Sequence, residues 1–383
     1  MQNHKLVYLD NAATGMPKPE PVIAAVVNAL RTAGNAGRGI TAPAMAAAGL
    51  IYDCRTELAD FFGAKSPERM ILTSNITESL NLVLHGLLEP GDHVLTDVSQ
   101  HNSVLRPLHI LARERGIDLE IIPCDGKGRV DPGEYRKRVR PQTKAIVCQH
   151  ASNLTGNVFA LEDFCAIARE TGVKLVVDTA QSAGLLPIDL SRLPIDFLCF
   201  TGHKGLHGPQ GTGGFYVRDG VELAAVKAGG TGVDSYNLYQ PDVYPEHLEA
   251  GTLNSPGIAG LGAAVRWVKE QDPAKLYERA MALANRFLEG VREFAGVELL
   301  GDYDAAIRMP IVTLNMPGIE SGDLSDRLGF AYNIQTRAGA HCTPLLHEAL
   351  GTDKRGAVRF SFAASNTEEE VDYALAALHE ICD

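Results

Sequence analysis

The sequence predicts an α/β protein built on a mainly parallel sheet covered by helices on both faces, with a second, smaller unit toward the C-terminus. Three observations carry this expectation. Between residues 69 and 178, strand-length apolar runs alternate with helix-length amphipathic ones, the order a parallel sheet with crossover helices requires. Near residue 255 the rhythm changes to a long helical stretch, then strands and a terminal helix. A chain of 383 residues with 45% hydrophobic content can bury one large core and a smaller second one. The expected division is a large domain over 15–255 and a small domain over 256–383, with 1–14 packing beside the latter.

Taken in order, residues 5–9 form a short strand-like run that ends in Asp10-Asn11-Ala12-Ala13-Thr14. Residues 20–31 place Val22, Val26, Val27 and Leu30 on one side of a helix. The glycine-rich Gly34-Asn35-Ala36-Gly37-Arg38-Gly39 lacks both dinucleotide and Walker spacing, so it is expected to be a flexible connection. A longer helix over 44–62 is closed by Gly63. Strands follow at 70–73, 93–97, 119–123, 145–149 and 174–178, with helices at 77–88, 102–115 and 161–170 between them. Residues 195–200 and 214–217 are the next strands. Beyond 255 the expectation is helix to about 294, strands at 297–300 and 310–315, a helix near Leu324, a loop over 337–342, a strand at 358–362 and a helix over 368–381.

Composition excludes several functions. A formal charge of −12 disfavours nucleic acid as a non-specific partner. No run reaches transmembrane length, and Met1-Gln2-Asn3-His4-Lys5 lacks the build of a signal peptide, so no membrane association and a cytoplasmic location are expected. The seven cysteines are scattered, most within apolar runs, as small hydrophobes in a reducing compartment would be. Without a CxxC pair or a histidine cluster, no metal is expected.

The chemistry centres on Thr201-Gly202-His203-Lys204, which ends a buried strand and opens a loop of glycines and a proline. Such a loop holds an amine in one place and partly desolvates it, as a Schiff-base lysine needs. Asp178 ends another buried strand, where a carboxylate either caps the next turn or stays charged against a cation such as a protonated pyridine. Asn75-Ile76-Thr77-Glu78 has the form of a capping box, leaving the amides of Ile76 and Thr77 free for an anion, with Thr77, Thr201 and His203 able to assist. His101 either caps the following helix or stacks on a planar group and moves protons. Asn153 either belongs to the turn Ser152-Asn153-Leu154-Thr155-Gly156 or donates at the sheet edge.

Cys342 stands apart from the other cysteines. It lies in Arg337-Ala338-Gly339-Ala340-His341-Cys342, a glycine-containing loop whose arginine and histidine suggest an electropositive setting for a mobile thiolate. Arg359 is a charge inside an apolar strand and requires a carboxylate, either the protein's own or a substrate's.

Together these stretches resemble the cysteine desulfurase and selenocysteine lyase family, in the class V aminotransferase group of fold-type I pyridoxal-phosphate enzymes. The resemblance runs nearly end to end. It rests on Tyr8-Leu9-Asp10-Asn11-Ala12-Ala13-Thr14, Thr77-Glu78-Ser79-Leu80-Asn81, Gln100-His101-Asn102, Ser152-Asn153, Asp178-Thr179-Ala180-Gln181, Thr201-Gly202-His203-Lys204, Glu249-Ala250-Gly251-Thr252 and Arg337-Ala338-Gly339-Ala340-His341-Cys342.

The resemblance implies a large domain on a mainly parallel sheet and a smaller C-terminal α+β domain carrying the Cys342 loop. It implies that Lys204 holds pyridoxal 5'-phosphate covalently, that Asp178 keeps the ring nitrogen protonated, that Gln181 bonds the phenolic oxygen and that His101 stacks on the ring. Ile76 (through its amide), Thr77, Thr201 and His203 would hold the phosphate, with Thr252 reaching in from the second subunit of a homodimer. Asn153 and Arg359, helped by Arg337 and by Asn11 and Ala12, would bind the substrate. Catalysis would fall to Lys204, His101 and Cys342: L-cysteine becomes L-alanine, and its sulfur passes to Cys342 as a persulfide, then to an acceptor protein or small thiol. The chain departs from relatives at Ile76, where a hydroxyl residue is common, and in Gly205-Leu206-His207, a segment shorter in some relatives. Alternatives are a lyase for L-selenocysteine or another β-substituted amino acid, an aminotransferase, which has no use for a reactive thiol, and a non-catalytic sulfur-transfer scaffold.

Overall fold

The computed structural model describes residues 5–37 and 39–382; the N-terminal Met1 to His4 of the leader reading, and Arg38 of the glycine-rich stretch, lie outside them. Strand β1 (Val7–Tyr8) precedes helices α1 (Glu20–Thr32) and α2 (Ala42–Phe62). Strands and helices then alternate as β2 (Met70–Thr73), α3 (Ile76–Leu87), β3 (His93–Asp97), α4 (Asn102–Arg115), β4 (Asp118–Ile122), α5 (Pro132–Arg138), β5 (Thr143–Gln149), α6 (Leu161–Thr171), β6 (Lys174–Asp178), β7 (Phe197–Thr201) and β8 (Gly213–Val217). After a stretch without regular structure come α7 (Ser255–Gln271), α8 (Pro273–Val291), β9 (Glu298–Leu299), β10 (Ile311–Asn315), α9 (Ser321–Tyr332), β11 (Ile334–Gln335), β12 (Arg337–Gly339), α10 (Pro344–Ala349), β13 (Ala357–Ser361) and α11 (Glu368–Cys382).

Among the described residues a seven-stranded sheet runs in the order β2-β8-β7-β6-β5-β3-β4. Its central and β4-side strands are parallel, and β8 runs antiparallel to both β7 and β2. The apolar strands feed two cores because successive side chains point to opposite faces. Ile146, Cys148, Leu175, Val177, Leu198 and Phe200 enter one core with α2 and α6. Their neighbours Ala145, Val147, Val176, Phe197 and Cys199 enter the other with α3 and α4. The α/β class with a mainly parallel sheet is therefore as the sequence indicated.

Ile258, Leu261 and Val265 of α7 lie in the first of these cores, and α7 packs on α1 and α2. The single helical stretch expected over 255–294 is instead two helices. They divide at Asp272, whose φ of 66° and following Pro273 preclude a continuous helix. A four-stranded antiparallel sheet, β12-β13-β10-β9, builds a further core with α8, α9 and α11. Phe287 meets Phe360 there at 4.5 Å between ring centroids. Val7 and Leu9 share this core, because β1 pairs in parallel with β11. Residues 337–339, expected as loop, form β12 against β13; so short a strand has no periodicity to read.

Candidate active site

The carboxyl ends of parallel strands form one edge where ligands bind in open α/β sheets. Here β3, β5, β6 and β7 deliver His101, Asn153, Asp178 and the Lys204 loop to that edge. The N-terminus of α3 joins them through β2, which ends beside Gly213 at the start of β8.

The lysine loop is held from two sides. Within it, His207 N–H donates to the Lys204 carbonyl at 2.9 Å and Gly208 N–H to the Gly202 carbonyl at 2.7 Å. From the N-terminal segment, Gly15 N–H, the Thr14 hydroxyl and the Lys18 ammonium all donate to the His203 carbonyl, at 2.9, 3.1 and 2.8 Å. Among the described residues no hydrogen bond or ion pair engages the Lys204 amine itself. Desolvation pulls its pKa down to about 8; Asp178 opposes that shift, while Arg359 and Arg337 add to it. The amine opens onto a cavity lined by Asn11, Ala12, Gln181, Ser361 and Phe362 among others.

Asp178 is buried and accepts one hydrogen bond, from Ala180 N–H at 2.8 Å. Burial raises its pKa, and the charge of Lys204 counters this. Part of its carboxylate thus lacks a protein donor, an arrangement suited to a cationic ring N–H. Gln181 donates through Nε2 to the Ala12 carbonyl at 3.1 Å. His101 both caps α4 and faces the site. Its Nδ1 accepts from Ser103 N–H at 3.1 Å and contacts the Ser103 hydroxyl at 2.5 Å. The proton therefore sits on Nε2, and burial first, then the charge of Lys204, lowers the pKa to about 4. The ring is neutral at ordinary pH.

The anion cradle has open donors. Asn75 caps α3 by accepting from Glu78 N–H at 2.9 Å, and Glu78 reaches back to Ser74 N–H at 2.7 Å. The amides of buried Ile76 and exposed Thr77 begin the helix. Beside them the Thr201 hydroxyl and His203 Nδ1 are buried without a partner. Free amides, an unpaired hydroxyl, a bare imidazole nitrogen and an uncommitted amine together fit a phosphorylated aldehyde cofactor.

Arg359, in the middle of β13, is only 1% exposed. It donates to Asp10 Oδ1 at 2.7 Å and to the Asn153 carbonyl at 3.0 Å, leaving Nε unpartnered. Asp10 thus supplies a carboxylate from the protein itself, and Nε stays available for another. Asp10, absent from the sequence-based candidates, is the residue missed; the signal was the buried charge of Arg359 itself. Arg337 sits directly across in register, and among the described residues no acceptor engages its guanidinium. Asn153 donates through Nδ2 to the His341 carbonyl at 2.8 Å, and its Oδ1 is buried and unpaired.

Cys342 is half-buried beside the same edge, its carbonyl accepting from Asn102 N–H at 2.8 Å, one residue from His101. Cys54, Cys148 and Cys199 are buried. Burial pushes Cys54 up to about 12, and Cys148 and Cys199 well above the usual value. One expectation about this loop is corrected: His341 contributes no positive charge, because burial holds its pKa well below the ordinary value. The turn accepts hydrogen bonds from Asn102 N–H and Asn153 Nδ2.

Thr252 is the predicted site residue that this chain does not bring to Lys204. It is exposed and lines a separate groove with Arg55, Glu249 and Gly230.

The chain is similar to known proteins over nearly its whole length. The family model described as "Aminotransferase class-V" matches residues 7–374. A probable cysteine desulfurase of Pyrococcus abyssi is 33% identical over 98% of this chain and 94% of its own length. A cysteine desulfurase of Salmonella dublin is 31% identical over 98% of this chain and 93% of its own. Among solved structures, the apo cysteine desulfurase of Thermococcus onnurineus superimposes with a TM-score of 0.93 at 33% identity, covering 98% of this chain and 94% of that one. The Escherichia coli cysteine desulfurase CsdA does so at 0.89 and 29% identity, with the same coverage.

Proposed function

This chain belongs to the class-V aminotransferase family and groups with its cysteine desulfurases; on that premise we propose that it converts L-cysteine to L-alanine with pyridoxal 5'-phosphate as cofactor, passing the sulfur to Cys342. The observation that carries the reading is the convergence on one sheet edge of a lysine amine that no described residue engages by hydrogen bond or ion pair, a strand-end carboxylate with room for a cation, and a half-buried thiol.

In this reading Lys204 Nζ would hold the cofactor, with Asp178 keeping its ring nitrogen protonated and Gln181 and His101 also holding the ring. The amides of Ile76 and Thr77, the hydroxyls of Thr77 and Thr201, and His203 would hold its phosphate. The bound cofactor supplies an electron sink that lets the amino acid's Cα–H bond ionise. Lys204 Nζ takes that proton. Arg337, whose guanidinium no acceptor among the described residues engages, and the open Nε of Arg359 receive the substrate carboxylate, with Asn153, Asn11 and Ala12 shaping its seat. The Cys342 thiolate attacks the substrate sulfur, the substrate's C–S bond breaks, and alanine leaves a persulfide on Cys342.

An acceptor protein or a small thiol then takes that sulfur from the half-exposed side chain. The working form is a homodimer in which Thr252 completes the partner's phosphate site. Tyr236, Leu238 and Tyr239, 101, 97 and 84% exposed, give the covered face its apolar surface. We place the reaction in the cytoplasm, in keeping with the buried unpaired thiols of Cys54, Cys148, Cys165 and Cys199.

The test is product analysis with L-cysteine together with the mass of the Cys342 peptide. Alanine and a peptide heavier by one sulfur are expected. A Cys342→Ala variant that releases sulfur from cysteine at the original rate would sink the assignment.

A further inference from the structure

Two consecutive non-glycine residues, His341 and Cys342, have left-handed backbone, with φ of 50° and 58°. Such a pair costs free energy and persists only where its surroundings hold it. The approach to it is equally constrained: Gly339 has a φ of 97°, and its backbone lies against Gly356, where a Cβ would come within 2.6 Å.

The His341 side chain is 3% exposed and contacts the Arg337 carbonyl through Nε2 at 3.1 Å. A carbonyl only accepts, so that nitrogen carries the proton. Behind it, His347 stacks at 5.9 Å between ring centroids, 1% exposed and held by Thr352 at 2.7 Å. His341 Nδ1 and His347 Nε2 are both buried without a partner. An imidazole serving only to fill space would be replaced with advantage by an apolar side chain, since its unpaired nitrogen is costly. What it adds over an apolar side chain is the single N–H anchored across the base of the turn.

We propose that His341 is a positioning residue for the sulfur-accepting thiol: its imidazole, anchored on the Arg337 carbonyl, holds the left-handed turn that presents Cys342. The inference rests on the reading of Cys342 as sulfur acceptor. The same turn is tied to the rest of the site by Asn102 N–H on the Cys342 carbonyl and Asn153 Nδ2 on the His341 carbonyl, each at 2.8 Å. The imidazole supplies the hold from the buried side.

The test compares His341→Leu, which removes the donor, with His341→Gln, which returns an N–H near the Nε2 position. In the leucine variant, L-cysteine desulfuration falls roughly a hundredfold, the scale expected for a reacting group misplaced by about 1 Å. Elimination of chloride from β-chloro-L-alanine, which needs no thiol, is unchanged. Iodoacetamide alkylation of Cys342, followed by the mass of its peptide, becomes faster as the turn loosens, with or without cofactor. The glutamine variant returns all three toward wild type. Wild-type desulfuration in His341→Leu, equal damage in His341→Gln, or loss of both reactions together overturns the proposal. Should the leucine variant not fold, His341→Asn, whose donor is too short to reach the carbonyl, takes its place with the same expectations. If the wild-type protein performs neither reaction, the functional reading fails, and unchanged alkylation in the leucine variant would separately overturn the role of His341.

Discussion

Arg359 and Lys204 are both cations in a poorly hydrated place, and the protein treats them differently. Arg359 is given Asp10, so its charge is kept. Removing one member of a buried pair leaves the other uncompensated and costs about 3–5 kcal/mol. Asp10→Ala is expected to lose stability on that scale in urea unfolding, and Asp10→Asn less because it keeps an acceptor. Among the described residues Lys204 has no such partner, and desolvation lowers its pKa to about 8. Only the neutral amine can capture an aldehyde, so capture of pyridoxal phosphate by the cofactor-free protein should speed up as pH rises through about 8 and then level off. Stopped-flow absorbance would follow it, and Lys204→Ala should show no cofactor fixed by borohydride.

At the scale of single elements, α3 matters most because its first turn is the anion cradle. Asn75 satisfies one of its free amides by accepting from Glu78 N–H, and the Glu78 carboxylate accepts from Ser74 N–H just before the cap. Asn75→Ala should cost about 1 kcal/mol of stability and, by fraying that turn, weaken pyridoxal phosphate retention, read by equilibrium dialysis. The break between α7 and α8 shows the opposite situation, in which one residue pair overrides a helical pattern. Asp272 adopts a φ of 66° and caps α8 by accepting from Ala274 N–H at 3.1 Å. The apolar spacing on both sides is helical, so the chain reads as one helix until Pro273 is given its steric weight.

Across the whole molecule, the N-terminal segment ties β11 and the small antiparallel sheet to the Lys204 loop. Leu9 N–H donates to the Gln335 carbonyl and Ala12 N–H to the Ser361 hydroxyl, both at 2.9 Å, and three donors from residues 14, 15 and 18 meet the His203 carbonyl. Assembly belongs to the same scale. Sedimentation should give twice the chain mass of 41.1 kDa. Leu238→Asp, which sets a charge in the most exposed apolar patch, should shift the particle toward monomer and lower cofactor affinity by withdrawing the partner's Thr252.

By itself the sequence determined the α/β class, the strand ends that carry Asp178 and Lys204, the cap at Asn75 and the odd standing of Cys342. These are local properties: periodicity, turn chemistry and the cost of a buried charge act over a few neighbouring residues. It also showed that Arg359 needed an anion, without showing which one. Only the tertiary structure decided that Asp10 is that anion, that His341 is buried and neutral, and that among the described residues no acceptor engages the Arg337 guanidinium. Each of these depends on which distant segments meet, and burial and charge pairing are set by those meetings rather than by any residue's neighbours along the chain.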